Sequence, residues 1–186
     1  LVKVAATGVC HTDLHFIKGD MPQALPVVLG HEGAGVVEKV GPGVTTLKPG
    51  DHVIMMVIYS CGKCRYCTEG QPAMCGEWLG YHLMGTLPGG TKRLHKDGQD
   101  LSHFFNQSSF AEYAVVNERT AIKIRDDAPL DVVCLLGCGT STGIGSVLNT
   151  ADFKAGQTIA VFGCGGVGLS AVMAARLSGA SKIFAV

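Results

Sequence analysis

Two patterns of apolar spacing divide the chain near residue 125. Before that point, short runs alternate apolar and polar positions or are rich in valine, the signature of β-strands. Residues 1–5, 33–40, 52–58, 110–116 and 120–124 read as strands, with Gly41-Pro42-Gly43 as a turn and Gly50-Asp51 leading into the third run. Residues 61–109 interrupt this with a long, polar stretch rich in glycine and cysteine. A loop of that length is uncommon unless something holds it. After residue 125 the period lengthens. Residues 129–136 and 140–150 read as helices, 157–162 as a buried strand, 165–178 as a helix and 182–186 as a second buried strand. The order β-α-β predicts the start of a parallel, doubly wound sheet. Both ends fall inside strand-like runs, the pattern of a piece of a longer chain.

Composition narrows the class of function. Lys and Arg number 15 against 15 Asp and Glu, so there is no net basic field to draw nucleic acid or an anionic membrane surface. No run reaches the roughly 18–20 apolar residues that span a bilayer. Hydrophobic residues make up 47% of the chain, enough for a sizeable core. Of the eight cysteines, four crowd into residues 61–75. That crowding reads as metal binding in a reducing, cytoplasmic compartment and not as a secreted disulfide framework.

Cys61, Cys64, Cys67 and Cys75 are spaced C-x2-C-x2-C-x7-C. Four thiolates satisfy a tetrahedral Zn2+ completely, which makes a closed, structural site. An iron–sulfur cluster is the competing reading. Against it, Cys75 is followed by Gly76 where the bacterial ferredoxin run has proline, and no second set of cysteines follows. A second, dispersed set consists of Cys10, the pair His31-Glu32, and Cys138. Two thiolates and an imidazole leave a fourth position open, the arrangement of a catalytic zinc. Taken alone, these residues read equally as packing or surface positions, and Thr12 and Asp13 equally as helix caps. Gly163-Cys164-Gly165-Gly166-Val167-Gly168 is a G-x-G-x-x-G run between a predicted strand and helix, the context in which that motif cradles a pyrophosphate.

In order and separation, several segments resemble the zinc-containing medium-chain alcohol dehydrogenases. They are Gly8–Asp13 (G-V-C-H-T-D), Gly30–Gly35 (G-H-E-G-A-G), Gly50–Val53 (G-D-H-V), the four-cysteine loop, Gly137–Gly143 (G-C-G-T-S-T-G) and the glycine turn. The resemblance implies a partly open, GroES-like β-barrel catalytic domain over residues 1–138, with the structural-zinc loop at 61–75. An incomplete Rossmann domain follows over 139–186. It implies that Cys10, His31 and Cys138 bind a catalytic zinc with Glu32 behind it, and that Asp13 holds the second ring nitrogen of His31. Thr12 would hydrogen-bond the substrate hydroxyl and His15 would pass the proton to solvent. His11, Thr142, Gly163, Gly165, Gly166, Val167 and Gly168 would contact the coenzyme, NAD, with NADP left open.

The implied reaction is reversible hydride transfer between a primary alcohol and NAD(P), by way of a zinc alkoxide and a Thr-ribose-His proton relay. Val57 stands where some relatives carry a bulky aromatic, and Phe104 and Phe105 supply apolar wall, so a medium-chain or aromatic alcohol is expected. The alternative is S-(hydroxymethyl)glutathione (formaldehyde) dehydrogenase. Those relatives carry an acidic residue soon after the relay region and an arginine soon after the fourth cluster cysteine, near the places where Met21 and Leu79 stand here. A different class of reading is a catalytically inactive zinc-binding fragment or a non-enzymatic relative. The resemblance also implies a homo-oligomer, dimer or tetramer, in the full-length protein. His52, His82, His95 and His103 are expected to be bland, and Cys134 and Cys164 to be packing cysteines.

Overall fold

The computed structural model describes all of residues 1–186 and divides into two compact units, Leu1–Gly137 and Cys138–Val186. The first unit contains β1 (Val2–Gly8), α1 (His11–Lys18), β2 (Val27–Val28), β3 (Glu32–Val37), β4 (His52–Met55), α2 (Arg65–Thr68), α3 (Gly76–Met84), β5 (Leu94–Lys96), β6 (Gln99–His103), β7 (Tyr113–Ala114), β8 (Ala121–Lys123) and α4 (Leu130–Val133). The second contains α5 (Gly139–Gly145), β9 (Thr158–Val161), α6 (Gly166–Leu177) and β10 (Lys182–Ala185).

Five strands form one open sheet in the order β7-β1-β3-β4-β8. Its pairs β1–β3, β1–β7, β3–β4 and β4–β8 are antiparallel. Val2, Val37, Val53, Met55, Ala114 and Ala121 pack one core against it, and Ala34, Ile54 and Cys134 centre another. The alternation read from the sequence therefore serves two buried faces. β3 is built of small residues because its neighbours lie close; a side chain at Gly35 would collide with the carbonyl of Lys3 on β1.

The expected strands 52–58 and 110–116 shorten to β4 and β7. The backbone leaves the ladder where Met56 N–H bonds Thr120 and Val57 N–H bonds Gly137. The expected helix 129–136 is a single α-helical turn, α4, followed by a 3-10 turn at Cys134–Gly137. The excursion 61–109 is not bare loop. It carries α2, α3 and the hairpin β5–β6, which turns on Asp97 and Gly98, both at positive φ. Asp-Gly between short strands is a strong two-residue hairpin signal, and the sequence reading passed over it.

In the second unit, β9 and β10 pair in parallel, joined through α6. Ile159 and Ile183 pack against buried Val147, Ala171, Ala174 and Ala175. The expected helix 140–150 is α5 continued by a π-helical turn, Ser146–Thr150. Nowhere is a single helix long and apolar enough to cross a membrane.

Candidate metal sites and coenzyme turn

The four-cysteine loop brings its sulfurs within 4.8 Å of one another. The short spacings turn backbone N–H groups toward sulfur. Those of Lys63 and Cys64 approach Cys61 Sγ at 3.5 and 3.3 Å, and that of Cys61 approaches Cys75 Sγ at 3.4 Å. The N–H of Cys67 and neighbouring thiols hold the Cys64 thiol down to about 7, while burial pushes Cys67 up to about 11. Four sulfurs in this space cannot all ionise without a cation to offset them, and a tetrahedral Zn2+ does so. The loop is braced from outside by Arg119, whose guanidinium donates to the Ser60 carbonyl at 3.1 Å, and by the Lys63–Glu77 pair.

Cys10, Asp13, His31 and Glu32 are positioned by the junctions of β1, α1 and β3. Cys10 is the N-cap of α1: its sulfur accepts from Thr12 N–H at 3.5 Å, and Asp13 Oδ2 accepts from Cys10 N–H at 3.1 Å. Asp13 thus caps the helix and does more. Its Oδ1 faces His31 Nδ1 at 3.3 Å and accepts from Gly30 N–H at 3.1 Å. Asp13, His31 and Glu32 are 1%, 0% and 3% exposed. Burial pushes the Asp13 carboxyl up, but His31 and the two backbone donors outweigh it and hold it below the usual carboxylate range. An ionised Asp13 keeps the proton of His31 on Nδ1 and turns the lone pair of Nε2 inward.

That Nε2 is buried with no hydrogen-bond partner. Gly30 adopts φ +96, and a side chain there would press on Phe110, so only glycine lets the chain turn His31 inward. Cys138 follows Gly137 by one peptide bond. One ligand atom from each of Cys10, His31, Glu32 and Cys138 lies within 4.8 Å of the others. The donor set and the orphaned imidazole nitrogen both fit a divalent zinc.

Around these residues stand others that the sequence reading missed or placed differently. Gln107, buried at 2% exposure, donates to the carbonyls of His31 and Met55 at 2.8 and 3.4 Å and accepts from Gly33 N–H at 3.2 Å. Nothing local to its sequence marks it. His82, expected to be bland, is buried in a ring cluster beside His31, and burial, with His31 second, pushes its imidazole down to about 4. His103 is buried too. Cys134 is buried as expected of a packing residue, whereas Cys164 is exposed on the glycine turn.

Thr12 is half-buried at the start of α1. His15 is exposed on the same helix, with Nδ1 2.8 Å from Asp20 Oδ2 and its ring 5.1 Å from that of His11.

In the second unit, β9 runs into the glycine turn and α6 begins at Gly166. Gly163 has φ +95, and a Cβ on Gly168 would collide with the Gly163 carbonyl oxygen, so the turn closes only with glycine at both places. Thr142 lies on α5, its hydroxyl donating to the Cys138 carbonyl at 2.9 Å. Gly165, Gly166 and Val167 are exposed at the mouth of the turn.

Comparison with known proteins agrees with this geometry. Residues 1–126 match the alcohol dehydrogenase GroES-like domain. S-(hydroxymethyl)glutathione dehydrogenase of Saccharomyces cerevisiae is 50% identical over 187 aligned positions, covering 100% of this chain and 48% of the relative. Among solved structures, a zinc-binding-domain alcohol dehydrogenase protein of Burkholderia ambifaria aligns with TM-score 0.93 at 48% identity, over 99% of this chain and 50% of that one. Benzyl alcohol dehydrogenase of Acinetobacter calcoaceticus aligns with TM-score 0.91 at 44% identity, over 99% and 49%. The chain spans about half the length of the curated relatives it matches. With the GroES-like match over most of its length and the two cysteine-based donor sets in place, the chain belongs to the zinc-type, NAD(P)-using medium-chain alcohol dehydrogenase family.

Proposed function

We propose that this chain supplies the metal centre and the first part of the coenzyme site of an alcohol dehydrogenase, moving hydride between an alcohol and NAD(P). The observation that carries the reading is His31 Nε2, buried and without a partner, in a group with Cys10, Glu32 and Cys138. Cys10, His31 and Cys138 would hold a zinc that supplies Lewis acidity to a substrate oxygen when bound. Asp13 fixes the tautomer of His31, and Glu32 stands behind the ligands. Thr12 hydrogen-bonds the substrate hydroxyl and takes its proton. The proton passes by way of the coenzyme ribose to His15, which is half in water and paired with Asp20 and releases a proton to solvent.

The glycine turn Gly163–Gly168, with the N-terminus of α6, binds the coenzyme pyrophosphate. His11 and Thr142 flank the coenzyme. The cluster Cys61, Cys64, Cys67 and Cys75 holds a second zinc that stabilises its loop. Four free thiols so close suit a reducing, cytoplasmic setting. The full-length protein is expected to be a homo-oligomer.

For the substrate, the curated relatives support S-(hydroxymethyl)glutathione better than a general primary or aromatic alcohol. A second reading rests on two side chains. Met21 and Leu79 are apolar and about half exposed, 47% and 49%, near the places where an acidic residue and an arginine would meet a charged thiol adduct. Together with the rings beside His31 and the likeness to benzyl alcohol dehydrogenase, they favour an aromatic primary alcohol. Steady-state turnover by the full-length protein with S-(hydroxymethyl)glutathione and benzyl alcohol, each with NAD and NADP, separates the two. Preference for the glutathione adduct supports the first reading and preference for benzyl alcohol the second. Turnover of neither, with zinc bound, would defeat the dehydrogenase reading.

A further inference from the structure

Four rings cluster beside the inner group of ligands, with Trp78 also 6.1 Å from Phe105 at 32°. The ring of His31 lies 5.0 Å from that of Phe105 at an interplanar angle of 37°. Phe105 stacks on His82 at 4.2 Å and 24°. His82 stacks on Trp78 at 5.6 Å and 10°. Phe104, fully buried, meets the rings of His31 and Phe105 in T-shaped contacts.

Trp78 and His82 sit four residues apart on α3, hence on one face of that helix. The cluster is tied down at Trp78 and at His31. At the Trp78 end, the indole N–H donates to the Val57 carbonyl at 2.8 Å, and α3 starts directly after Cys75 of the four-cysteine loop. At the other end, His31 is held by Asp13 through Nδ1 alone. A single hydrogen bond fixes one point of an imidazole ring and leaves it free to swing about that point. A flat ring against its face removes that freedom. His82 has Nδ1 buried with no hydrogen-bond partner, so the rings of Phe105 and Trp78, and no hydrogen bond at that atom, hold it in place.

We propose that Trp78 and His82 are positioning residues for His31: through Phe105 they set the angle at which its imidazole meets a metal ion. The helix that carries them is anchored at Cys75, so the four-cysteine loop contributes to the geometry of the other metal group and not only to its own stability. This rests on the assignment of Cys10, His31 and Cys138 as metal ligands.

The test is cobalt substitution in the full chain, with zinc kept in the four-cysteine loop and Co2+ in the His31 group. The readouts are the visible absorption of the cobalt and its affinity. Removing the His82 ring from the cluster is expected to weaken cobalt binding by about tenfold and shift the band, in line with residues that orient metal ligands. His82→Leu and His82→Ala both remove the ring and should show this with loop zinc retained, the second serving if the first does not fold. His82→Phe restores a flat ring and should bind cobalt within about twofold of the unsubstituted chain. Unchanged cobalt binding and spectrum in the ringless variants would overturn the proposal, as would His82→Phe behaving no better than His82→Leu. Absence of cobalt from the His31 group of the unsubstituted chain would overturn the ligand assignment itself, a distinct result seen before any variant is made.

Discussion

His31 reads as a metal ligand because everything around it prepares one nitrogen and leaves it bare. Asp13 accepts a hydrogen bond from His31 Nδ1–H, two backbone N–H groups keep Asp13 ionised, and Gln107 ties the His31 carbonyl. Asp13→Asn keeps the shape but weakens the charge that orients the ring. It should lower the affinity of the His31 group for zinc by about 10- to 100-fold with little change in the four-cysteine loop; competition with a chromophoric chelator measures this.

His103 gives a second residue-scale test, well away from the metal ligands in sequence. Its Nε2 accepts from Arg93 N–H at 3.0 Å, and burial first, then Lys92, pushes its imidazole down to about 4. An unfolded histidine titrates near 6.5. Between those values the unfolded chain binds the proton and the folded chain does not, so stability falls as pH drops from about 6.5 toward about 4. Replacing His103 with Gln should flatten that part of the profile in denaturant titrations. A profile unchanged by the substitution would count against the burial argument.

At the scale of elements, the most legible parts were those whose chemistry is local. The C-x2-C-x2-C loop and the glycine turn each carry their own geometry within a dozen residues, so spacing alone identified them. The His31 group was legible only through resemblance, since its members are far apart in sequence: Cys10 at the N-cap of α1, His31 and Glu32 at the start of β3, and Cys138 just after the first unit. The cluster of rings was not legible at all. Residues 78, 82 and 105 meet His31 through tertiary packing, and no period or spacing relates them. The β5–β6 hairpin was missed for a different reason: Asp97-Gly98 announces it, but the strands beside it are three and five residues long and mostly polar.

Two elements invite direct tests. Cys64→Ser removes a thiolate from a closed tetrahedral set, so the loop should lose its metal and the chain more than about 3 kcal/mol of stability, read by melting with and without zinc. Gly168→Ala places a methyl group against the Gly163 carbonyl oxygen. The turn must open to accept it, which should cost roughly 1–3 kcal/mol and weaken coenzyme binding by the full-length protein at least about tenfold. Fluorescence titration with NADH checks the second figure.

For the molecule as a whole, the chain divides at Gly137/Cys138 into two compact units, each with its own apolar core. In the open five-stranded sheet, Cys10 follows the end of β1 and His31 precedes the start of β3, two neighbouring interior strands, while the β-α-β start carries the glycine turn. The family match covers residues 1–126 of the first unit, and the structural likeness extends over 99% of the chain. The account then comes down to a count of metal ions. Elemental analysis of the purified chain should find about two zinc per molecule, one for each cysteine-based group, and about one in His31→Ala with the four-cysteine loop intact. An unsubstituted chain that holds one zinc, or a His31→Ala chain that still holds two, would contradict it.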